Sequence, residues 1–122
     1  MKTIQKKRRG FTLAELVVVV TILGILMLIA VSRFSSITDS ANERAFQANH
    51  KIAVSAITMY MADNSGAKPA DATKLDNYIA SPSDSTKKGL AALTDNPKGS
   101  TYEWDGTKLT STYNSKTLEY TP

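Results

Sequence analysis

The chain has no cysteine among its 122 residues. That removes disulfides, thiolate metal ligands and thiol chemistry together. Any part of it placed outside a cell is held by packing alone. Histidine is nearly absent too: His50 is the only one, on a stretch predicted helical among polar neighbours. One histidine and no paired acids at ligand spacing exclude a metal site. The serines have no evident base, and no glycine-rich loop follows a strand, so the sequence predicts neither an enzyme nor a cofactor. Asp84, Asp95 and Asp105 are scattered without a calcium-loop signature and read as solvated surface charge. Negative charge is missing from the first ten residues, where Lys2, Lys6, Lys7, Arg8 and Arg9 stand unopposed. The rest of the chain carries ten Lys/Arg against eleven Asp/Glu, so the net +4 belongs to that start. Long apolar runs are also missing, with one exception.

The exception is Phe11 to Val31, 21 residues in which Glu15 is the only charge. At about 1.5 Å per residue a helix of this length measures roughly 31 Å, close to the ~30 Å hydrocarbon core of a bilayer. Five positive charges directly before it predict an N-terminus held in the cytoplasm and a body outside. An ordinary secretory signal has a shorter apolar stretch and a small-residue cleavage site after it. Here Val31-Ser32-Arg33-Phe34 is no such site, and the small residue, Gly10, precedes the run. Cutting after Gly10 removes the charged leader and keeps the helix. An acid inside a spanning helix is a functional-site hypothesis in itself, although a first-turn acid also suits the helix dipole. Cleavage would create an amine on Phe11, one helical turn from Glu15. The carboxylate could neutralise that amine in its own chain or in a neighbour.

At Lys7-Arg8-Arg9-Gly10-Phe11-Thr12-Leu13-Ala14-Glu15-Leu16, continued by Ile22-Leu23-Gly24-Ile25-Leu26, the sequence resembles the type IV pilin superfamily. The resemblance covers about a quarter of the chain. It implies that a membrane-embedded prepilin peptidase cuts between Gly10 and Phe11 and methylates the Phe11 amine. It also implies that Glu15 pairs with the N-terminal amine of an adjacent subunit during assembly. Ala14 replaces the large aliphatic residue usual before the acid. Ser32 stands where many pilins have proline, and Gly24 marks the other end of the segment that often unwinds in their filaments.

Beyond the apolar run, Phe34, Ile37, Ala41, Ala45, Ala48, Ile52, Ala56 and Met59 recur at steps of three and four, one narrow face of a continuing helix. Phe46, Ala53, Ile57 and Tyr60 widen it. Asp63-Asn64-Ser65-Gly66 is the predicted stop, with Pro69 beyond. Residues 71–79 suggest a short helix with Leu75, Tyr78 and Ile79 on one side, residues 81–89 a loop, and Leu90 and Leu93 a return to the core. Asp105-Gly106 predicts a two-residue hairpin turn that sets Trp104 opposite Thr107, Glu103 opposite Lys108 and Tyr102 opposite Leu109. A second turn at Asn114-Ser115 adds Leu118 and Tyr120 to the same apolar face. Tyr102, Trp104 and Tyr120 at strand alternation read as core rather than as a stacking surface for nucleic acid.

These elements predict an α+β chain: a leader (1–10), a long helix (11–62, with 11–31 in the membrane), a connecting region (63–99) and a small antiparallel sheet of three to four strands (100–122) packed on the helix's outer half. The expected function is a structural subunit of a helical surface filament, a major type IV pilin serving adhesion, motility or aggregation. The alternatives are a pseudopilin of a type II secretion or competence system, or an uncleaved single-pass membrane-anchored binding domain. Expected partners are further copies of the chain, the prepilin peptidase/methylase, an assembly platform with its ATPase, and membrane lipid before assembly. Nucleic acid is expected only for a competence pilin. The location predicted is the bacterial cytoplasmic membrane, then an extracellular pilus.

Overall fold

The computed structural model describes residue 4 and residues 9–81 and 84–122. Most of the expected leader, with its Lys6-Lys7-Arg8 run, lies outside them, as do residues 82–83 of the expected loop. The elements are α1 (Leu13–Asp63), 3₁₀ turns at Ala72–Leu75 and Gly89–Leu93, then β1 (Thr101–Trp104), β2 (Leu109–Tyr113) and β3 (Lys116–Tyr120). The chain divides into two compact units, the first ending at Thr38 and the second starting at Asp39.

The first unit is helix without a core. Its most apolar 18-residue window has a mean hydropathy of 2.8 and no buried residue. Backbone bonding continues through Gly24 and Ser32 without a break. Hydroxyls in this stretch bond to the helix itself, Thr21 Oγ1 to the Val17 carbonyl at 2.7 Å and Ser32 Oγ to the Ile29 carbonyl at 2.9 Å. A polar group that satisfies itself locally costs little when water is absent.

The second unit is a meander, β1-β2-β3, all antiparallel, packed on the end of α1. Phe46, Ala53, Ala56 and Ile57 are the buried residues of α1. They meet Tyr102, Trp104, Leu109 and Tyr113 of the sheet, with Leu75, Ile79, Leu90 and Leu93 closing the side. The Phe46 ring lies 6.0 Å from that of Tyr102 and 5.6 Å from that of Tyr113. Alanines at 53 and 56 let the sheet approach roughly two to three turns further along. Ile57 and Leu109 are fully buried, each contributing about 1.5–3 kcal/mol of apolar transfer.

The buried face of α1 is not the one the longest apolar stripe predicts. Ile52 stays 45 % exposed and Met59 59 %, while Phe34 and Ile37 are exposed at 70 % and 63 %. Stepping about 100° per residue, the Phe34–Met59 stripe lies roughly a third of a turn from Phe46, Ala53 and Ile57. Only Ala56 belongs to both. The residues turned inward are instead three of those that widen the stripe, Phe46, Ala53 and Ile57, with Phe46 lying against two tyrosine rings of the sheet.

The helix ends where predicted. Ser65 takes a left-handed φ of 55°, and the Gly66 N–H reaches back to the Met61 carbonyl at 2.7 Å. That six-to-one bond is the Schellman stop. The 71–79 segment is a 3₁₀ turn rather than an α-helix, started by Asp71, whose Oδ1 accepts from the Thr73 N–H at 2.9 Å. Leu75 and Ile79 are buried as expected.

The first hairpin differs from the two-residue turn. Trp104 pairs with Leu109, Glu103 with Thr110 and Tyr102 with Ser111, leaving residues 105–108 as the loop. Asp105 Oδ1 accepts from the Thr107 N–H (2.8 Å), the Thr107 hydroxyl (2.7 Å) and the Lys108 N–H (2.7 Å). Three donors on one carboxylate oxygen hold a four-residue loop open, where the Asp-Gly pair alone suggests two. Gly106, at φ 91°, sits under the Ala70 carbonyl, 3.1 Å from where a Cβ would be. Lys108 consequently pairs with Glu119 of β3 at 2.9 Å and not with Glu103. The second turn is as expected, with Asn114 and Ser115 both at positive φ between Tyr113 and Lys116.

Candidate processing and assembly site

Gly10, Phe11 and Glu15 fall together at the start of α1. Thr12 is the residue before the first helical turn, and its carbonyl takes the first helical bond, from the Leu16 N–H at 3.2 Å. The Glu15 N–H donates to Thr12 Oγ1 at 3.2 Å, and the Thr12 N–H donates to Glu15 Oε2 at 3.1 Å. This reciprocal pair is a capping box. It satisfies two backbone donors that an uncapped helix leaves bare, and it fixes the carboxylate at the N-terminal, positive end of the helix dipole. Thr12 was not singled out by sequence reasoning, although the Thr-x-x-Glu spacing before an apolar run was there to find it.

Phe11 is exposed and outside the helix, and so is Gly10. A Cβ on Gly10 meets nothing within 4 Å, and neither does one on Gly24. The folded chain by itself therefore gives no steric reason for glycine at either position. Phe11 and Glu15 are four residues apart, about one helical turn.

The other singled-out residues are elsewhere and are structural. Trp104 is buried and donates its indole N–H to the Pro69 carbonyl at 2.8 Å, tying the sheet to the connecting segment. Tyr102 is buried in the core, as strand alternation predicts, while Tyr120 is partly buried against it. Asp84 caps Thr86 (2.9 Å), Asp95 pairs with Lys87, and Asp105 organises its loop. Hydrogen bonds from the Thr107 hydroxyl and from the Lys108 and Thr107 N–H groups pull the Asp105 carboxyl down to about 2. No group of three or more His, Cys, Asp or Glu placed to hold a metal occurs among the described residues. His50 is part-buried, its Nδ1 2.8 Å from the Ser111 hydroxyl.

Residues 5–31 match the family model of the prokaryotic N-terminal methylation motif. The chain is 37 % identical over 95 residues to the type II secretion system core protein G of Pseudomonas aeruginosa, a match covering 78 % of this chain and 56 % of that protein. It is 54 % identical over 37 residues to the type IV narrow pilus major component of Thermus thermophilus, covering 30 % of this chain and 32 % of that one. The chain thus spans about half the length of the first of these curated relatives and a third of the second. No solved structure matches it. A methylation motif placed on the Gly10–Glu15 junction, an uncovered apolar helix behind it and an antiparallel sheet on the helix's far end make the chain a member of the type IV pilin superfamily.

Proposed function

We propose that the chain is a structural subunit of a pilus-like filament: a peptidase removes residues 1–10, and α1 anchors the processed chain in the membrane until it is assembled. The observation that carries this reading is the Gly10–Glu15 junction at the head of a helix that buries nothing in its first unit. Pilins and pseudopilins are structural subunits, not enzymes. The glycine before the cut serves an enzyme, which explains a residue that the chain's own packing does not need. Leaving lipid for a filament core exchanges one apolar surrounding for another, so the cost concentrates on Glu15. A charge buried without a partner is expensive, and the methylated Phe11 amine of a neighbour supplies one. Contacts of this head-to-tail kind do not close on themselves and so build filaments.

The finer reading is which filament. A major pilin of a surface pilus fits the small sheet domain. The match to a secretion core protein favours a secretion pseudopilus instead, because it covers 78 % of the chain, whereas the pilus match covers 37 residues. Intact mass spectrometry of material sheared from the native cells tests both. Loss of Met1–Gly10, a methyl group on Phe11 and abundance in the sheared fraction establish a pilus subunit. The same processed mass confined to the envelope establishes a pseudopilin. An uncut chain alone refutes the filament reading and leaves a membrane-tethered domain.

A further inference from the structure

Among the described residues two polar contacts join α1 to the sheet: the Glu43–Lys116 ion pair at the exposed edge, and a contact between His50 and Ser111 set among the apolar side chains of the junction. Phe46, His50 and Ala53 follow one another along a helix face. Opposite them, β2 presents Tyr113, Ser111 and Leu109 at its core-facing positions. Phe46 meets Tyr113, and His50 meets Ser111, Nδ1 to Oγ at 2.8 Å. Ser111 is fully buried in the central strand. Among the described residues, His50 is the one hydrogen-bond partner of its hydroxyl.

A buried hydroxyl needs an acceptor for its own hydrogen. Neutral His50 supplies one if Nδ1 keeps its lone pair and Nε2, on the part-exposed ring, carries the proton. Protonating the ring reverses the roles. Nδ1–H becomes a donor, the Ser111 oxygen becomes the acceptor, and the Ser111 hydrogen is left facing a donor. An unmade buried bond costs more than the bond contributes when made. We propose that the His50–Ser111 contact is an acid-sensitive latch between α1 and the sheet, closed while His50 is neutral and loosened when it takes a proton. This inference stands on the packing of the second unit and does not depend on the filament reading.

The surroundings do nothing to hold a positive charge there. The positions one turn away on α1, Phe46, Gln47, Ala53 and Val54, are uncharged. Glu43, two turns away, is already paired with Lys116 of β3. Arg44 and Lys51 are exposed cations of the same helix. From the sheet come the phenols of Tyr102, Tyr113 and Tyr120, and beside Ser111 in register stand Tyr102 and Leu118. Burial pushes the His50 imidazole below its usual range, in the direction the geometry requires. With the folded value below the unfolded one, the unfolded chain binds more protons between the two. Stability is therefore full above the unfolded value and falls as pH drops through it towards the folded one.

The test is ¹⁵N NMR of the imidazole in the full-length protein in detergent micelles, followed by thermal unfolding from pH 8 to pH 5. At pH 8 the spectrum is expected to show a proton on Nε2 and none on Nδ1; a proton on Nδ1 overturns the proposal. Ser111→Ala is expected to raise the pH at which His50 titrates, whereas Thr110→Ala, on the opposite side of β2, leaves it unchanged. A titration unmoved by Ser111→Ala, or moved equally by Thr110→Ala, also overturns it. Should Ser111→Ala not fold, His50→Gln decides: the wild type loses several degrees of midpoint over that range relative to His50→Gln. Parallel loss in both defeats the latch.

Discussion

The two parts of α1 are one helix folded for two surroundings. From Leu13 to Thr38 the helix is strongly apolar and buries nothing. From Asp39 to Asp63 it is poorer in large apolar side chains, yet it contributes Phe46, Ala53, Ala56 and Ile57 to a core. Hydrophobicity and burial thus run opposite ways along one element. The first part finds no apolar surroundings among the described residues; on the proposed function, lipid or other copies supply them. The second obtains them from its own sheet, and small residues at 53 and 56 serve that better than large ones.

Substitutions that separate these parts test the contrast directly. The largest effect is expected from Glu15→Ala: filaments in the sheared fraction disappear, while membrane insertion and the unfolding midpoint of the second unit stay as in the wild type. Normal filament yield from that variant would remove the assembly role of the carboxylate. Phe46→Ala is expected to do the reverse. It leaves leader cleavage intact but destabilises the sheet-bearing unit by about 3–5 kcal/mol, read by denaturant unfolding in micelles. Trp104→Phe keeps most of the ring and loses the bond to the Pro69 carbonyl, which predicts a smaller loss of about 1–2 kcal/mol and earlier proteolysis of the connecting segment. The smallest effect concerns Asp105. Its carboxyl is held at about 2, below the usual carboxylate value. The stability it lends is therefore present above the unfolded value of 3.8 and is lost as pH falls through about 2. In acid unfolding, Asp105→Ala should flatten that last limb of the curve; an unchanged limb would assign it to other carboxylates.

Much of the fold is legible in the sequence because its signals are local. The Gly-Phe junction, the long apolar run, the stop at Asp63-Asn64-Ser65-Gly66 and the Asn114-Ser115 turn each depend on a few neighbouring residues. What escapes depends on partners far away in the chain. Periodicity identifies both an apolar stripe through Ile52 and Met59 and its flank, Phe46, Ala53 and Ile57; that the flank is the side turned inward, with Phe46 against Tyr102 and Tyr113, depends on the distant sheet. The Trp104–Pro69 tether joins residues 35 apart, and His50–Ser111 joins residues 61 apart. Neither leaves a pattern in either segment alone. At the head of α1 the feature that escapes is local: Thr12 and Glu15 form a capping box, which gives the acid a place in the chain's own helix.

The shifted register of the first hairpin has a consequence for how this domain can vary. Leu109 lies opposite Trp104 instead of Tyr102, a displacement of two residues. Side chains alternate with a period of two, so an even displacement returns every residue to its own side of the sheet. Tyr102, Trp104 and Leu109 therefore face the core in either pairing. The loop is free to grow or shrink in steps of two without disturbing the core, whereas a single inserted residue would turn one strand inside out. Parity, more than the identity of the turn, is the constraint this hairpin places on its sequence.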